Sequence, residues 1–254
     1  MLWALQRELP DATLLCAPGN AGTATLATNL PIAVDRLDDL TSAALERKVD
    51  LAIVGPEAPL ALGLADRFRA AATPTFGPSG AAAQIESSKA WAKDVMTAAN
   101  VPTARSMTFG DLAGALAYVD RHEEPLVVKA SGLAAGKGAV VCATRAEAQD
   151  AVRSMLGDRI FGEAGELVVI ESFLQGEELS VFAITDGRDI RILPPAQDHK
   201  RLLAGDRGPN TGGMGAYSPV QLATDALLAK VQSQVLEPTL AEMARRGAAF
   251  TGRL

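Results

Sequence analysis

Leu126-Val-Val-Lys-Ala-Ser-Gly-Leu-Ala-Ala-Gly-Lys-Gly-Ala-Val-Val-Cys142 reads as an apolar strand, a glycine-rich turn and a second apolar strand. Its ends are rich in β-branched residues, and its middle holds Gly132, Gly136 and Gly138. Glycines let backbone N–H groups approach an anion closely, and Lys137 adds positive charge. The spacing is not that of a Walker A loop, because no Ser or Thr follows Lys137 and the next element is a strand rather than a helix. Taken alone, the hairpin also reads as an ordinary mobile turn. Lys129 sharpens the reading. An ammonium group on an apolar strand needs a partner, and strand alternation directs it away from the side of Val128.

Before this stretch, Ser87 to Met96 forms a capped helix closed by Val101-Pro102, followed by a strand near Thr103–Thr108 and a helix over Asp111–Arg121. After it come a helix over Arg145–Leu156 and strands at Leu167–Glu171, Glu178–Thr185 and Ile190–Leu193. The glycine-rich stretch 204–215 has no periodicity and is expected to be a functional loop. A helix spans Thr224–Ala244, and a strand is beginning at Thr251–Leu254.

Residues 1–86 alternate short apolar runs with helical patterns. Strands are expected at Ala12–Cys16, Pro31–Val34 and Asp50–Val54, with helices over Asp38–Lys48 and Leu60–Ala72. Strands separated by helices of this length imply crossovers and a parallel sheet. Ligands on such sheets bind beyond the carboxyl ends of the strands, where the turns at 18–23 and 55–59 fall. The fold class is therefore α/β, with a Rossmann-like parallel-sheet domain over 1–86 and an α+β domain over 87–254. Met1 lies inside what reads as the first helix, so a preceding strand is expected to be missing.

Composition sets the limits. The 254 residues are 48% apolar and 21% charged, enough to build a core, and the formal charge of −6 disfavours bulk attraction to nucleic acid or anionic lipid. No apolar run approaches the ~18 residues that span a bilayer. Cys16 and Cys142 lie far apart without metal-ligand spacing, which suits a reducing cytoplasm. The 7 lysines are outnumbered by 17 arginines, yet Lys89, Lys129, Lys137 and Lys200 sit in segments that resemble ligand sites. A retained lysine there suggests a use for a compact ammonium charge.

Two further clusters stand out. Val169-Ile-Glu-Ser-Phe-Leu174 with Gly176-Glu-Glu178 could offer a purine edge its donors and acceptors, and a ribose a carboxylate; a strand end with solvated acids is the plainer reading. Gln197-Asp-His-Lys-Arg201, with Gly208-Pro-Asn-Thr-Gly-Gly-Met-Gly215, could bind a charged small molecule, although His199 alone reads equally as a hydrogen-bonded structural histidine.

Together these residues resemble the phosphoribosylamine–glycine ligases, ATP-grasp enzymes of purine biosynthesis. The matching stretches run in family order: Ala17-Pro-Gly-Asn-Ala-Gly-Thr23, Val54-Gly-Pro-Glu-Ala-Pro-Leu60, Ser88-Lys-Ala90, Val128-Lys-Ala130, Gly132–Gly138, Gln197–Arg201 and Gly208–Pro219. The resemblance implies a pre-ATP-grasp domain followed by an incomplete ATP-grasp domain, with glycine, 5-phosphoribosylamine and ATP as small-molecule partners. It places Lys89 and Lys129 on the ATP phosphates, with Gly132, Gly136, Lys137 and Gly138 closing over them. Glu171 and Leu174 fall at the adenine edge and Glu178 at the ribose. Asn20, Gly22, Glu57, Asp198, His199, Lys200, Asn210, Thr211, Gly212, Gly213 and Met214 fall around the other substrates, and Lys129 and Lys200 are the candidate catalytic residues.

The family's first strand-turn (Gly-Gly-Arg-Glu-His) would precede Trp3. Its Mg²⁺ (or Mn²⁺) ligands, a Glu and an Asn in Glu-Phe-Asn-Cys-Arg-Phe-Gly-Asp, would lie beyond Leu254. No metal ligand is therefore expected in this chain, which reads as a partial sequence, poorly active alone. The alternatives are another ATP-grasp carboxylate–amine ligase or a non-catalytic nucleotide-binding module. A dinucleotide oxidoreductase is disfavoured because no GxGxxG follows a strand. Nothing in the sequence assigns an oligomeric state.

Overall fold

The computed structural model describes the chain apart from Glu123, Glu124, Ala135 and Asp206, and apart from the side chains of Arg207, Pro209 and Asn210. It divides into two compact units, residues 1–80 and 81–254.

The first unit opens with helix α1 (Leu2–Glu8) and contains two short parallel pairs. Strand β1 (Leu15–Cys16) pairs with β2 (Thr28–Asn29), and, after helix α2 (Leu37–Glu46), β3 (Ala52–Ile53) pairs with β4 (Thr75–Phe76). The strand expected at 31–34 is displaced to Thr28–Asn29: the Leu30 amide still donates to Cys16, but Pro31 has no N–H with which to continue. The helix expected over 60–72 is two helices, α3 (Glu57–Ala61) and α4 (Leu64–Ala70). Between them Gly63 takes φ +85°, a left-handed conformation that interrupts the helix. Arg67 of α4 pairs with Asp38 of α2, and Leu37, Leu40, Leu60, Leu64 and Phe68 are buried.

Helix α5 (Gly80–Ser87), which the sequence reading did not expect, starts on the last residue of the first unit, and α6 (Lys89–Ala98) follows it in the second. Strand β5 (Ser106–Phe109) and helix α7 (Leu112–Asp120) follow, then β6 (Leu126–Ala130), β7 (Ala139–Cys142), helix α8 (Arg145–Val152) and β8 (Val168–Ser172). The four strands form an antiparallel sheet in the order β5-β8-β6-β7. Alternation decides its two faces. Leu126, Val128, Ala130, Val168 and Ile170 point toward α7 and α8, where Ala115, Val119, Ala148 and Val152, with Met155 from the π-helical turn after α8, complete a core. Burying each larger side chain there contributes roughly 1.5–3 kcal/mol. Lys129 and Glu171, each one residue out of step, face the other way.

Beyond β8 the strand expected over 178–185 shrinks to β9 (Ala183–Thr185), with Ser180 making only a single bridge to Ala196. β9 lies between β10 (Ile190–Ile192) and a strand at Gly252–Arg253. The region expected to be a loop is mostly strand: β11 (Gln197–Leu203) pairs with β12 (Arg207–Tyr217) in a long antiparallel ribbon. Its register shifts between His199 and Leu203. Backbone pairing holds this ribbon without an apolar stripe, so side-chain periodicity could not announce it. Helices α9 (Asp225–Val231) and α10 (Glu237–Arg245) are joined by one π-helical stretch and lead to β13 (Gly252–Arg253). A second core joins α5, α6 and α10 through Ala82, Val95, Leu240, Met243 and Phe250.

Candidate functional site

The face of the four-stranded sheet turned away from α7 and α8 carries a buried carboxylate between lysines. Lys129 on β6 lies opposite Val169, and Glu171 on β8 lies opposite Val127, so the two side chains are diagonal neighbours on one face. Lys129 Nζ stands 2.7 Å from Glu171 Oε2. Lys93, on α6, reaches the other oxygen, with Nζ 3.3 Å from Oε1. The Glu171 side chain is only 8% exposed, while Lys129 keeps 28% of its surface open.

Helix α6 is fixed to this face at its first turn. Ser88 caps the helix by accepting from the Trp91 amide. The buried Ser131, just past β6, accepts from the Ala90 amide through Oγ, and its carbonyl accepts from the Lys89 amide at 2.8 Å. Two of the amides left open at a helix start are thereby matched. The Lys89 ammonium then donates to the Gly132 carbonyl at 3.1 Å. Burial pulls the Lys89 pKa below the ordinary lysine value; Glu86 opposes this, Lys129 adds to it, and Glu171 opposes it. Burial likewise lowers Lys93, against the pull of Glu171 and with a further push from Lys129. Lys89 and Lys93 each sense Lys129 and Glu171, and Lys89 senses Glu86 as well, so three ammonium groups share two carboxylates and leave a positive charge suited to an anion.

The glycines of the turn divide by role. A Cβ on Gly132 would stand 2.6 Å from the Ala164 Cα, and one on Gly138 would meet Ala134 and Ala130. Both are glycines because neighbouring chain comes close, a different reason from the approach to an anion read in the sequence. Gly136 takes φ +76° with open space around it, and Lys137 is exposed. Leu174 is 68% exposed at the end of the strand that carries Glu171.

The ribbon gathers a second group. Lys200 Nζ lies 3.5 Å from Glu178 and 3.6 Å from Asp198, so a residue assigned to ribose and two assigned to the other substrates meet at one ammonium. His199 stacks on Tyr217 with ring centroids 6.0 Å apart. Thr211 Oγ1 donates to the Lys200 carbonyl and accepts from the Gly213 amide. Gly212 and Gly213 face open space, and Met214 is 59% exposed. The Asn210 side chain lies outside the described residues.

In the first unit Asn20 is tied into its own turn. Its Oδ1 accepts from the Thr23 amide, its own amide donates to Thr23 Oγ1, and Asn29 donates to its carbonyl. Gly22 lies inside that turn, and Glu57 is exposed at the start of α3.

Sequence reasoning missed Lys93 and Ser131. For Lys93 a signal existed: it lies one helical turn after Lys89, on the same face of α6. Ser131 carried none, since only the folded chain brings it to the start of α6.

The family model described as phosphoribosylglycinamide synthetase, N domain, matches residues 1–86, and that described as phosphoribosylglycinamide synthetase, ATP-grasp (A) domain, matches residues 87–254. The chain belongs to the phosphoribosylglycinamide synthetase family. Within that family it is similar to the phosphoribosylamine–glycine ligase of Xanthomonas axonopodis pv. citri, at 50% identity over all of this chain and 59% of the relative. It is 48% identical to the ligase of the same name from Nostoc sp., again over all of this chain and 60% of the relative. The crystal structure of phosphoribosylamine–glycine ligase from Thermotoga maritima superposes with a TM-score of 0.81 at 31% identity, covering 99% of this chain and 60% of that one. The chain thus spans about 60% of the length of the curated relatives it matches. The synthetase-family second domain is an ATP-grasp domain, and the Lys89–Lys93–Lys129–Glu171 cluster lies within it. Among the described residues, no helix is long and apolar enough to cross a membrane, and no group of three or more His, Cys, Asp or Glu side chains is placed to hold a metal ion.

Proposed function

We propose that this chain belongs to an ATP-dependent ligase that joins glycine to 5-phosphoribosylamine, giving glycinamide ribonucleotide, ADP and phosphate, in the cytoplasmic synthesis of purines. The observation that carries the reading is the lysine cluster around Glu171, on the sheet face beside α6 in a domain of ATP-grasp type.

A carboxylate is a poor acylating agent because its oxygen leaves badly. Attack of the glycine carboxylate on the γ-phosphorus of ATP breaks the bond to ADP and gives glycyl phosphate. The amine of phosphoribosylamine then attacks the carbonyl carbon, phosphate leaves with the C–O bond pair, and the nitrogen loses a proton. Phosphoryl transfer of this kind is catalysed largely by positioning and charge neutralisation. Lys89 and Lys129 supply that charge, and the Gly132–Gly138 turn with Lys137 covers the phosphates. Glu171 and the backbone near Leu174 meet the adenine, and Glu178 meets the ribose. Lys200, with Asp198, His199 and the 210–214 segment, serves the substrate side. Asn20, Gly22 and Glu57 serve as substrate contacts, a role that rests on the family likeness. The family reading includes Mg²⁺ or Mn²⁺, for which the described residues offer no cluster of His, Cys, Asp or Glu side chains.

Titration calorimetry with ATP tests the reading. Replacing Lys129 by Ala is expected to weaken binding at least ~10-fold, the worth of a hydrogen bond to a charged group. Equal binding by wild type and variant removes Lys129 from the phosphate site.

A further inference from the structure

We propose that Lys93 is a positioning residue of the nucleotide site, holding the Glu171 carboxylate where it selects a 6-amino purine over a 6-oxo purine. The inference rests on the nucleotide reading above and deepens it.

Three oxygens surround Lys93 Nζ: Thr103 Oγ1 at 2.7 Å, the Ala104 carbonyl at 3.0 Å and Glu171 Oε1 at 3.3 Å. An ammonium group has three N–H donors, so these oxygens match its full complement and leave none for a phosphate. Its side chain is 10% exposed. Lys93 therefore differs in kind from Lys129, which keeps an open flank beside the same carboxylate.

The difference matters when a ligand arrives. Lys129 is shared between Glu171 and any phosphate that enters. As it turns toward phosphate, Glu171 would be left as a buried, partly unpaired charge, which is strongly unfavourable. Lys93 keeps Oε1 compensated and holds the carboxylate in one orientation. Each carboxylate oxygen has a second lone pair, so Glu171 can still accept from an exocyclic amine. An ionised carboxylate has no proton to give, so a 6-oxo group facing it meets an acceptor with an acceptor. Selection between the two purines follows from keeping the Glu171 acceptor oxygens fixed.

The test measures equilibrium binding of ATP, of inosine triphosphate and of inorganic tripolyphosphate to the whole chain, with far-UV circular dichroism confirming the fold of each variant. Wild type is expected to prefer ATP to inosine triphosphate roughly tenfold or more, the worth of a hydrogen bond to a charged group. Lys93→Met is expected to bring the two affinities within a few-fold, as Glu171→Gln does, while tripolyphosphate, which has no base to be read, reports any loss at the phosphates that ATP and inosine triphosphate share. Thr103→Val, at an exposed position, removes one of the three oxygens without removing the charge and is expected to fall between. It decides the matter if Lys93→Met does not fold. A folded Lys93→Met, or in its place Thr103→Val, that keeps the full preference while Glu171→Gln loses it overturns the proposal. So does a wild type that binds ATP without any preference. A wild type that binds none of the three probes contradicts the nucleotide reading itself.

Discussion

Glycine positions in the turn after β6 separate two physical demands. Gly132 is tight against Ala164, while Gly136 has room but a left-handed backbone. Gly132→Ala is expected to destabilise the second unit by about 1–3 kcal/mol through forced displacement of backbone. Gly136→Ala is expected to cost about 1 kcal/mol, through strain alone. Chemical denaturation of the two variants checks the order, and a larger loss at Gly136 contradicts it. Cys142 offers a chemical probe of the core. Burial, and after it the Glu147 carboxylate, push its thiol up to about 11 against a backbone hydrogen bond from Val128. At pH 7.5 iodoacetamide is expected to modify the half-buried Cys16 in the native chain and Cys142 only after denaturation, as read by peptide mass spectrometry. Equal labelling of both in the native chain contradicts this.

Among the elements, α10 closes the second core, and Glu242 binds its own helix end. Its carboxylate accepts from Arg245 at 2.6 and 2.7 Å and from Arg246 at 2.7 Å, which holds its pKa at about 2 against an ordinary 4.5. Because the folded-state value is the lower one, the unfolded chain takes up a proton first as pH falls. The stabilisation is full above about pH 4.5 and is lost between there and about pH 2. Glu242→Gln is expected to flatten that part of the acid-unfolding curve; an unchanged curve excludes the pairing as its cause. The same elements show what sequence could reveal. The strand, turn and strand around Gly132 were legible because β-branched runs flank glycines, and α7 and α10 because their apolar spacing is helical. The split between α3 and α4 turned on the backbone angle of one glycine, Gly63, and the β11–β12 ribbon on main-chain pairing, neither of which leaves a periodic trace.

At the scale of the whole molecule, the family likeness extends over both units, and the lysine cluster is contained within the second. Lys89 and Lys129 could be picked out because lysine is scarce and each stands in an unusual context. Lys93 could not be weighed until α6 was set against β8, since its importance lies in the carboxylate it meets rather than in its neighbours along the chain. The central claim is that a nucleoside triphosphate lies along the face of the β5-β8-β6-β7 sheet that carries Lys129 and Glu171, with its tail between Lys89 and Lys129. A crystal structure of the chain with a non-hydrolysable ATP analogue tests it most directly. Phosphate oxygens within hydrogen-bond distance of both ammonium groups, and the adenine beside Glu171, are the expected result. A well-defined triphosphate bound elsewhere, touching neither lysine, would contradict the account.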